Sequence, residues 1–146
     1  MRKRKTRMKS RRALIRLQKW HVDEIRRRMA ELEAMRREFE DKRKELEASL
    51  ADERQFGERS PLGAYAYPSF ARATSERRLK LDQSIQNIDR ELEATKETLA
   101  EAYRELKKIE LLEEGRVQRA KQAEARREQS ELDEIALEAH HRQQAN

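Results

Sequence analysis

Three histidines and 29 carboxylate side chains are the residues of this sequence best suited to metal binding or acid–base catalysis. His21 follows the single tryptophan, and His140 and His141 are adjacent near the C-terminal edge. No HExxH spacing occurs and cysteine is absent, so the usual zinc-ligand patterns are missing. Three glycines are too few for a GxGxxG or GxxxxGK[ST] phosphate loop. We therefore expect no metal site, no cofactor, no small-molecule substrate and no catalytic residue.

The composition also predicts no cleft in which carboxylates could act as an acid and base pair. Of the 146 residues, 44% are charged and only 5% are aromatic, which is too little apolar material for a globular core. Long helices or disorder both suit such a chain, and hydrophobic periodicity decides between them. No apolar run exceeds four residues, so no transmembrane span or secretory signal is expected.

A stripe of apolar residues at alternating spacings of three and four runs through the first part of the chain. This spacing is the heptad seam that holds one helix face against a partner helix. Leu14, Leu17 and Met35 are expected to widen the stripe. The seam positions are Ile15, Gln18, Val22, Ile25, Met29, Leu32, Arg36, Phe39, Arg43, Leu46 and Leu50.

A second stripe with the same spacing follows after the middle of the chain, and it weakens after Ile109 near Gly115. A short apolar face returns further on, at Leu132, Ile135 and Ala139. The positions of the second seam are Leu81, Ile85, Ile88, Leu92, Thr95, Leu99, Ala102, Leu106 and Ile109.

Both prolines and two of the three glycines lie between the two stripes, which predicts a chain reversal there. The expected fold is all-α, an antiparallel two-helix coiled-coil hairpin with a longer second helix. Residue x then lies near residue 128 − x, and the second helix extends beyond its partner. The predicted segments are a basic tail over 1–12, a first helix over 13–56, an aromatic loop over 57–71, and a second helix with a C-terminal overhang over 72–142.

Two features leave alternatives open. The loop rings Tyr65, Tyr67 and Phe70 either pack over the hairpin tip or form an exposed docking patch. The tail has eight basic and no acidic residues, which suits a solubilising arm, an anionic membrane or nucleic acid. The tail has no aromatic residue for base stacking, so specific nucleic-acid recognition is not expected.

Four stretches carry a resemblance to a known family: MKSRRALIRLQKWHVDE, AYAYPSFARA, AYRELKKIELLEE and EQSELDEIALEAHHR. They resemble the FliJ family of flagellar export proteins, particularly its alphaproteobacterial form, over residues 8 to about 142. The resemblance implies a non-enzymatic, stalk-like component of the flagellar type III export apparatus. The implied partners are the hexameric export ATPase, the membrane export gate and export chaperones, and the implied location is cytoplasmic, at the membrane face of the flagellar base.

The resemblance also suggests partner-binding residues. Phe70 corresponds to a family phenylalanine in the region implicated in contact with the gate, and Tyr65 and Tyr67 precede it. The C-terminal pattern is matched by Leu132, Asp133, Glu134, Ile135 and Ala136. Family members tend to begin at the equivalent of Met8, so residues 1–7 are interpreted as an upstream extension. A basic nucleic-acid-associated coiled coil and a structural homodimeric scaffold remain the alternative functions.

Overall fold

Two long helices make up the chain in this computed structural model, which describes the backbone of residues 2–146 and the side chains of residues 10–146. Helix α1 spans Arg2–Arg59 and helix α2 spans Pro61–Gln144, and no strand occurs within the described backbone. The predicted all-α hairpin with a longer second helix is confirmed. The interpretation of residues 1–7 as an upstream extension stays a prediction. The side chains of these residues lie outside the part of the chain that the structure describes.

The connection between the helices is much shorter than the predicted loop over residues 57–71. Residues 57–59 belong to α1 and residues 61–71 belong to α2, so that Ser60 alone separates the helices. Pro61 takes the first position of α2, where the missing N–H costs no hydrogen bond. Pro68 lies inside α2, where it lacks the N–H that would donate to the carbonyl of Ala64.

Ser60 closes one helix and opens the next with its own backbone. Its N–H donates to the Phe56 carbonyl at 3.1 Å, and its carbonyl accepts from the Ala64 N–H at 3.0 Å. Serine is a preferred residue at the position before a helix, which suits it to begin α2. The reversal therefore keeps the backbone hydrogen-bonded on both sides of a single residue.

The glycines near the reversal provide space rather than unusual backbone angles. No residue among those described has a positive φ. A Cβ added at Gly63 would lie 2.7 Å from the Phe56 carbonyl oxygen, whereas one at Gly57 would meet nothing closer than 3.5 Å. Gly63 is needed because the two helices approach each other closely there.

The core of the unit Trp20–Tyr103 lies along the predicted seams. Leu32, Ile88 and Leu92 form its central cluster, with Phe39 packed against them. The remaining seam positions of this unit are all buried or half-buried, including Arg36 and Arg43. The three-four spacing therefore identified the interface between the helices correctly, residue by residue.

Ion pairs between the helices show the register of this unit. Arg36 Nε donates to Asp89 Oδ1 at 2.7 Å, and Arg43 Nη1 lies 3.1 Å from Asp82 Oδ1. The predicted register placed Arg36 opposite residue 92 instead of residue 89. The difference arises because the chain reverses at Ser60 rather than at the centre of a long loop.

The second unit combines Met1–Lys19 with Arg104–Asn146. Leu106 is buried, and Ile15, Gln18 and Ile109 are half-buried, as their seam positions predict. Arg11 and Glu113 form an ion pair between the helices at 4.0 Å. From Val117 to the C-terminus every residue is exposed.

The basic segment predicted as a tail over residues 1–12 is part of α1 from Arg2 onward. Lysine and arginine are good helix formers and the segment contains neither glycine nor proline, so it continues the helix that follows. Helix α2 likewise begins and ends outside its predicted bounds of 72 and 142.

Candidate partner-binding surfaces

The three rings predicted as a docking patch do not share one surface. Tyr65 is 87% exposed, whereas Tyr67 and Phe70 are half-buried. Tyr67 and Phe70 follow the buried Gly63 and precede the buried Thr74 at spacings of four, three and four. This spacing continues the heptad seam, so Tyr67 and Phe70 lie toward α1.

The exposed apolar side chains around the reversal are Phe56, Leu62 and Tyr65, which we call the tip surface. Leu62 and Tyr65 are three residues apart on α2 and therefore share a face. An exposed tyrosine beside aliphatic side chains suits protein docking, because its ring buries area and its hydroxyl remains able to hydrogen-bond. Of the predicted rings, only Tyr65 belongs to this surface.

The predicted C-terminal residues all lie in the exposed part of α2. Leu132 and Ile135 are 60% and 63% exposed, and Asp133, Glu134 and Ala136 are also exposed. Leu132, Ile135 and Ala136 have the spacing of one helix face, which we call the C-terminal face. Residues 128–138 contain five acidic residues and no basic one, so this face has an acidic border.

The C-terminal face is not a continuation of the hairpin seam. Heptad spacing extended from Leu106 and Ile109 falls on Ala120, Ala123, Arg127, Ser130 and Glu134. Leu132 and Ile135 lie off these positions. The C-terminal face therefore points to a different side of α2 from the hairpin seam, as expected if it binds a partner other than α1.

A groove of about 420 Å³ lies between the helices of the unit Trp20–Tyr103. Leu46 and Leu81 supply its apolar part, and Lys42, Arg77 and Lys80 make its border mainly basic. Sequence reasoning placed both leucines in the seam but did not identify the groove. The sequence signal that could have indicated the groove is a pair of facing seam leucines. Lysine and arginine border them in place of alternating charges.

Leu14, Leu17 and Met35 were predicted to widen the stripe of α1, and this prediction is wrong. Leu14 and Leu17 are 47% and 59% exposed, and Met35 is exposed as well. All three lie beside the heptad positions rather than on them. Only the positions at alternating three- and four-residue spacing face the partner helix, which is why neighbouring apolar residues remain in solvent.

Glu113 lies in a local electrostatic environment formed by arginines of the unit Met1–Lys19 with Arg104–Asn146. Arg116 donates to the Glu113 carboxylate, with Nη2 at 2.7 Å from Oε1. This hydrogen bond lowers the pKa of Glu113, and the charges of Arg116, Arg11 and Arg12 lower it further, against a smaller opposing effect of burial. The same contact raises the pKa of Arg116. Arg116 lies on the same helix as Glu113, and the Arg11–Glu113 ion pair at 4.0 Å is the contact of this carboxylate with α1.

We expect this contact to make the stability of the helix pair depend on pH. Because the folded-state pKa of Glu113 lies below its ordinary value of 4.5, the contribution is complete above pH 4.5 and is lost as pH falls through the folded-state pKa. Glu113→Gln should therefore lower the thermal midpoint at pH 7, and the difference from wild type should shrink in acid. Circular dichroism melts between neutral and acidic pH measure this.

Glu105→Gln is the matched control, because Glu105 is an exposed glutamate of the same unit with no salt bridge among the described residues. A Glu113→Gln midpoint that follows the Glu105→Gln midpoint at every pH would show that the contact with Arg116 adds no stability.

The three histidines are all exposed. Among the described side chains, no group of three or more histidine, cysteine, aspartate or glutamate residues has a metal-binding arrangement. Neither described helix contains a stretch apolar and long enough to cross a bilayer.

Comparison with known proteins identifies the family. The model of the family described as "Flagellar FliJ protein" matches residues 8–145, which is nearly the whole chain. The chain belongs to the FliJ family. No curated protein and no solved structure gave a significant match. Membership of the FliJ family indicates a component of the flagellar export apparatus, and the all-helical hairpin agrees with it.

Proposed function

We propose that this FliJ-family chain couples the hexameric export ATPase to the membrane export gate and assists export chaperones. The observation that carries this proposal is the C-terminal face, which is apolar, bordered by acidic residues and exposed. A helix with such a face typically binds in a groove of another protein. The proposed location is the cytoplasm, at the membrane face of the flagellar base.

The hairpin supports a coupling role because its helix–helix interface is already occupied within the chain. Leu32, Ile88 and Leu92 cover one another, so they are not free to hold a second copy. Two exposed apolar surfaces, the tip surface and the C-terminal face, contain different residues and have different borders. Two separate surfaces allow two partners to be bound by one chain.

The resemblance of the Phe70 region to the gate-contacting region of the family leads us to assign the gate to the tip, with Tyr65, Tyr67 and Phe70. Tyr65 and its exposed neighbours would make the direct contact, and the half-buried Tyr67 and Phe70 would hold the helices in place beneath it. We assign the ATPase to the C-terminal face, with Leu132, Asp133, Glu134, Ile135 and Ala136.

The test uses variants that should each weaken binding of one partner and leave binding of the other unchanged. Leu132→Ala combined with Ile135→Ala should weaken binding to the purified export ATPase at least tenfold, because exposed apolar anchors contribute most of the affinity of a docked helix. Truncation after Gly115 should abolish this binding. The double variant should bind the cytoplasmic part of the export gate normally, whereas Tyr65→Ala should weaken gate binding and leave ATPase binding unchanged.

Leu137→Ala is the matched control for the ATPase measurement. Leu137 is 58% exposed in the same segment, but it lies on another side of the helix from Leu132. Equal losses from Leu132→Ala and Leu137→Ala would mean that the segment has no specific binding face. Unchanged ATPase binding after truncation would remove the C-terminal segment from the ATPase contact altogether.

A further inference from the structure

The helix pair that forms the groove has two different sides. Successive residues of a helix are about 100° apart, so the residues directly before and after a seam position lie on opposite sides of the seam. Lys80 lines the groove and directly precedes the seam residue Leu81, whereas Asp82 directly follows it. Asp82 therefore lies on the side away from the groove. Glu47 directly follows the seam residue Leu46 of α1 and lies on that side too.

Ion pairs close the side away from the groove. Arg43 Nη1 lies 3.1 Å from Asp82 Oδ1, and Arg78 Nη2 lies 3.4 Å from Glu47 Oε1, so each helix gives one arginine to the other. The cations that line the groove are Lys42, Arg77 and Lys80. None of these three forms a salt bridge within residues 10–146. Their charges are therefore available to an anionic partner.

The floor of the groove is apolar and only partly covered by the hairpin. Leu46 and Leu81 are half-buried, whereas the central seam leucines of the same unit are buried. Ser49 and Ser84 lie beside them and are small enough to leave room for another helix. The Ser84 hydroxyl donates to the Lys80 carbonyl at 3.0 Å, so it needs no further partner. A third helix laid along the groove would cover the two leucines.

The C-terminal face matches the groove in length and in spacing. The face extends to the exposed Ala139, seven residues after Leu132, so its residues occupy positions i, i+3, i+4 and i+7 of a helix. Both stretches are therefore about 10 Å long. An amphipathic helix docks in a groove through anchors with this spacing. The groove residues of α2 have the same spacing, and they are Arg77, Lys80, Leu81 and Ser84.

The charges of the two surfaces are complementary. Glu131 and Glu138 are seven residues apart and border the C-terminal face on one side, and Asp133 borders it on the other. The groove has three cations and a single carboxylate, Glu45, among its lining residues. Complementary borders of this kind select the partner and fix its register. A nucleic acid would engage the cations but would leave the apolar floor uncovered, so the groove favours an acidic amphipathic helix.

The C-terminal face can enter the groove only from another molecule. Helix α2 spans Pro61–Gln144 and forms one wall of the groove, and a helix cannot pack along its own side. We propose that the C-terminal face of one copy of this chain docks in the groove of a second copy. A docked face is covered, so this self-association competes with the ATPase contact proposed above, although it does not depend on that contact.

The experiment measures self-association of the full chain by sedimentation velocity, across the micromolar concentration range and at several salt concentrations. We expect reversible association that weakens as salt is raised, because salt screens exposed charges over about 8 Å at physiological ionic strength. A chain that stays monomeric throughout this range would overturn the proposal. Association that does not respond to salt would also overturn it, because the contact would then use surfaces other than these charged borders.

Two charge reversals test the contact from both sides. Arg77→Glu with Lys80→Glu should weaken self-association roughly tenfold or more, because the groove would then repel the acidic border. Glu131→Lys with Glu138→Lys should do the same from the other surface. Mixed in equal amounts, the two variants should associate within about threefold of wild type, since each reversed border then meets its opposite. A mixture that fails to associate would overturn the proposal.

Arg72→Glu with Arg90→Glu is the matched control. Both arginines are exposed, and each lies nine residues from Leu81, which is two and a half turns and places them on the opposite side of α2. The control changes the net charge as the groove variant does, so its affinity should stay within about threefold of wild type. An equal loss in the control would show that net charge, and not the groove, governs association. Lys42 is left unchanged because its Nζ lies 5.6 Å from the centre of the Phe39 ring.

The groove variant also separates this inference from the ATPase contact. Its C-terminal face is unaltered, so it should bind the purified export ATPase at least as well as wild type does. Helicity measured by circular dichroism should remain near the wild-type value, because Arg77 and Lys80 are exposed. A monomeric wild-type chain whose ATPase binding still depends on Leu132 and Ile135 would overturn the self-association and leave the proposed function standing.

Discussion

Leu32→Ala should lower the free energy of unfolding by about 3 kcal/mol. Leu32 is 1% exposed and lies at the centre of the cluster with Ile88 and Leu92, with Phe39 against it. Truncation removes apolar contact and leaves a cavity between two long helices, which neighbouring packed positions hold at their distance. With a core only one layer deep, no other residue replaces the lost contact.

Urea unfolding followed by circular dichroism at 222 nm measures the effect as a shift of the midpoint. Leu79→Ala is the control, because Leu79 is the same residue type, is 59% exposed and lies off the seam. Its cost should stay within about 0.5 kcal/mol. Similar costs for the two variants would mean that the helices do not pack at Leu32 in solution, and the hairpin would then be wrong.

Gly63→Ala should destabilise the hairpin by about 2 kcal/mol, although alanine is the better helix former. The added Cβ would lie 2.7 Å from the Phe56 carbonyl oxygen and 2.8 Å from the carbonyl carbon. Both atoms belong to the backbone of α1, so the contact is relieved only by moving the helices apart at the reversal. The Phe56 carbonyl also accepts from the Ser60 N–H, and that movement would strain this hydrogen bond.

Gly57→Ala should have the opposite sign and stabilise the protein by about 0.5 kcal/mol. Its Cβ would be in ordinary contact, at 3.5 Å from the Gly63 carbonyl oxygen, and the backbone there has no positive φ that an alanine would strain. The two variants add one methyl group to glycines on facing helices, so each is the control of the other. Equal stabilisation in the urea measurement would show that the close approach at Gly63 is absent.

The fold gives each unit a different surface chemistry. In Trp20–Tyr103 both seam arginines, Arg36 and Arg43, are paired across the helices, and the tip surface exposes three large apolar side chains. In Met1–Lys19 with Arg104–Asn146 the seam is short, Leu14 and Leu17 are exposed, and so is the C-terminal face with its acidic border. A chain with so little core can still offer several partners distinct surfaces, because most of each helix is accessible.

The sequence by itself determined the seam, because a heptad pattern is a property of local spacing. Each position assigned to it between Ile15 and Leu50, and between Leu81 and Ile109, is buried or half-buried. The exposure of Leu132 and Ile135 also agrees with the weakening of the second stripe near Gly115. These features follow from which residues repeat every three or four positions, whatever the turn between them.

Only the tertiary structure decided where the chain reverses, the register of the helices and the exposure of the residues beside the seam. The glycines and prolines of residues 57–71 were interpreted as helix breakers, but Gly63 gives two helices room to approach and Pro61 begins one of them. Tyr67 and Phe70 therefore became seam residues, while Leu14 and Leu17 remained in solvent. The local conformational preference of a residue does not depend on how near a second helix lies. That distance determines whether a glycine interrupts its helix or allows two helices to approach closely.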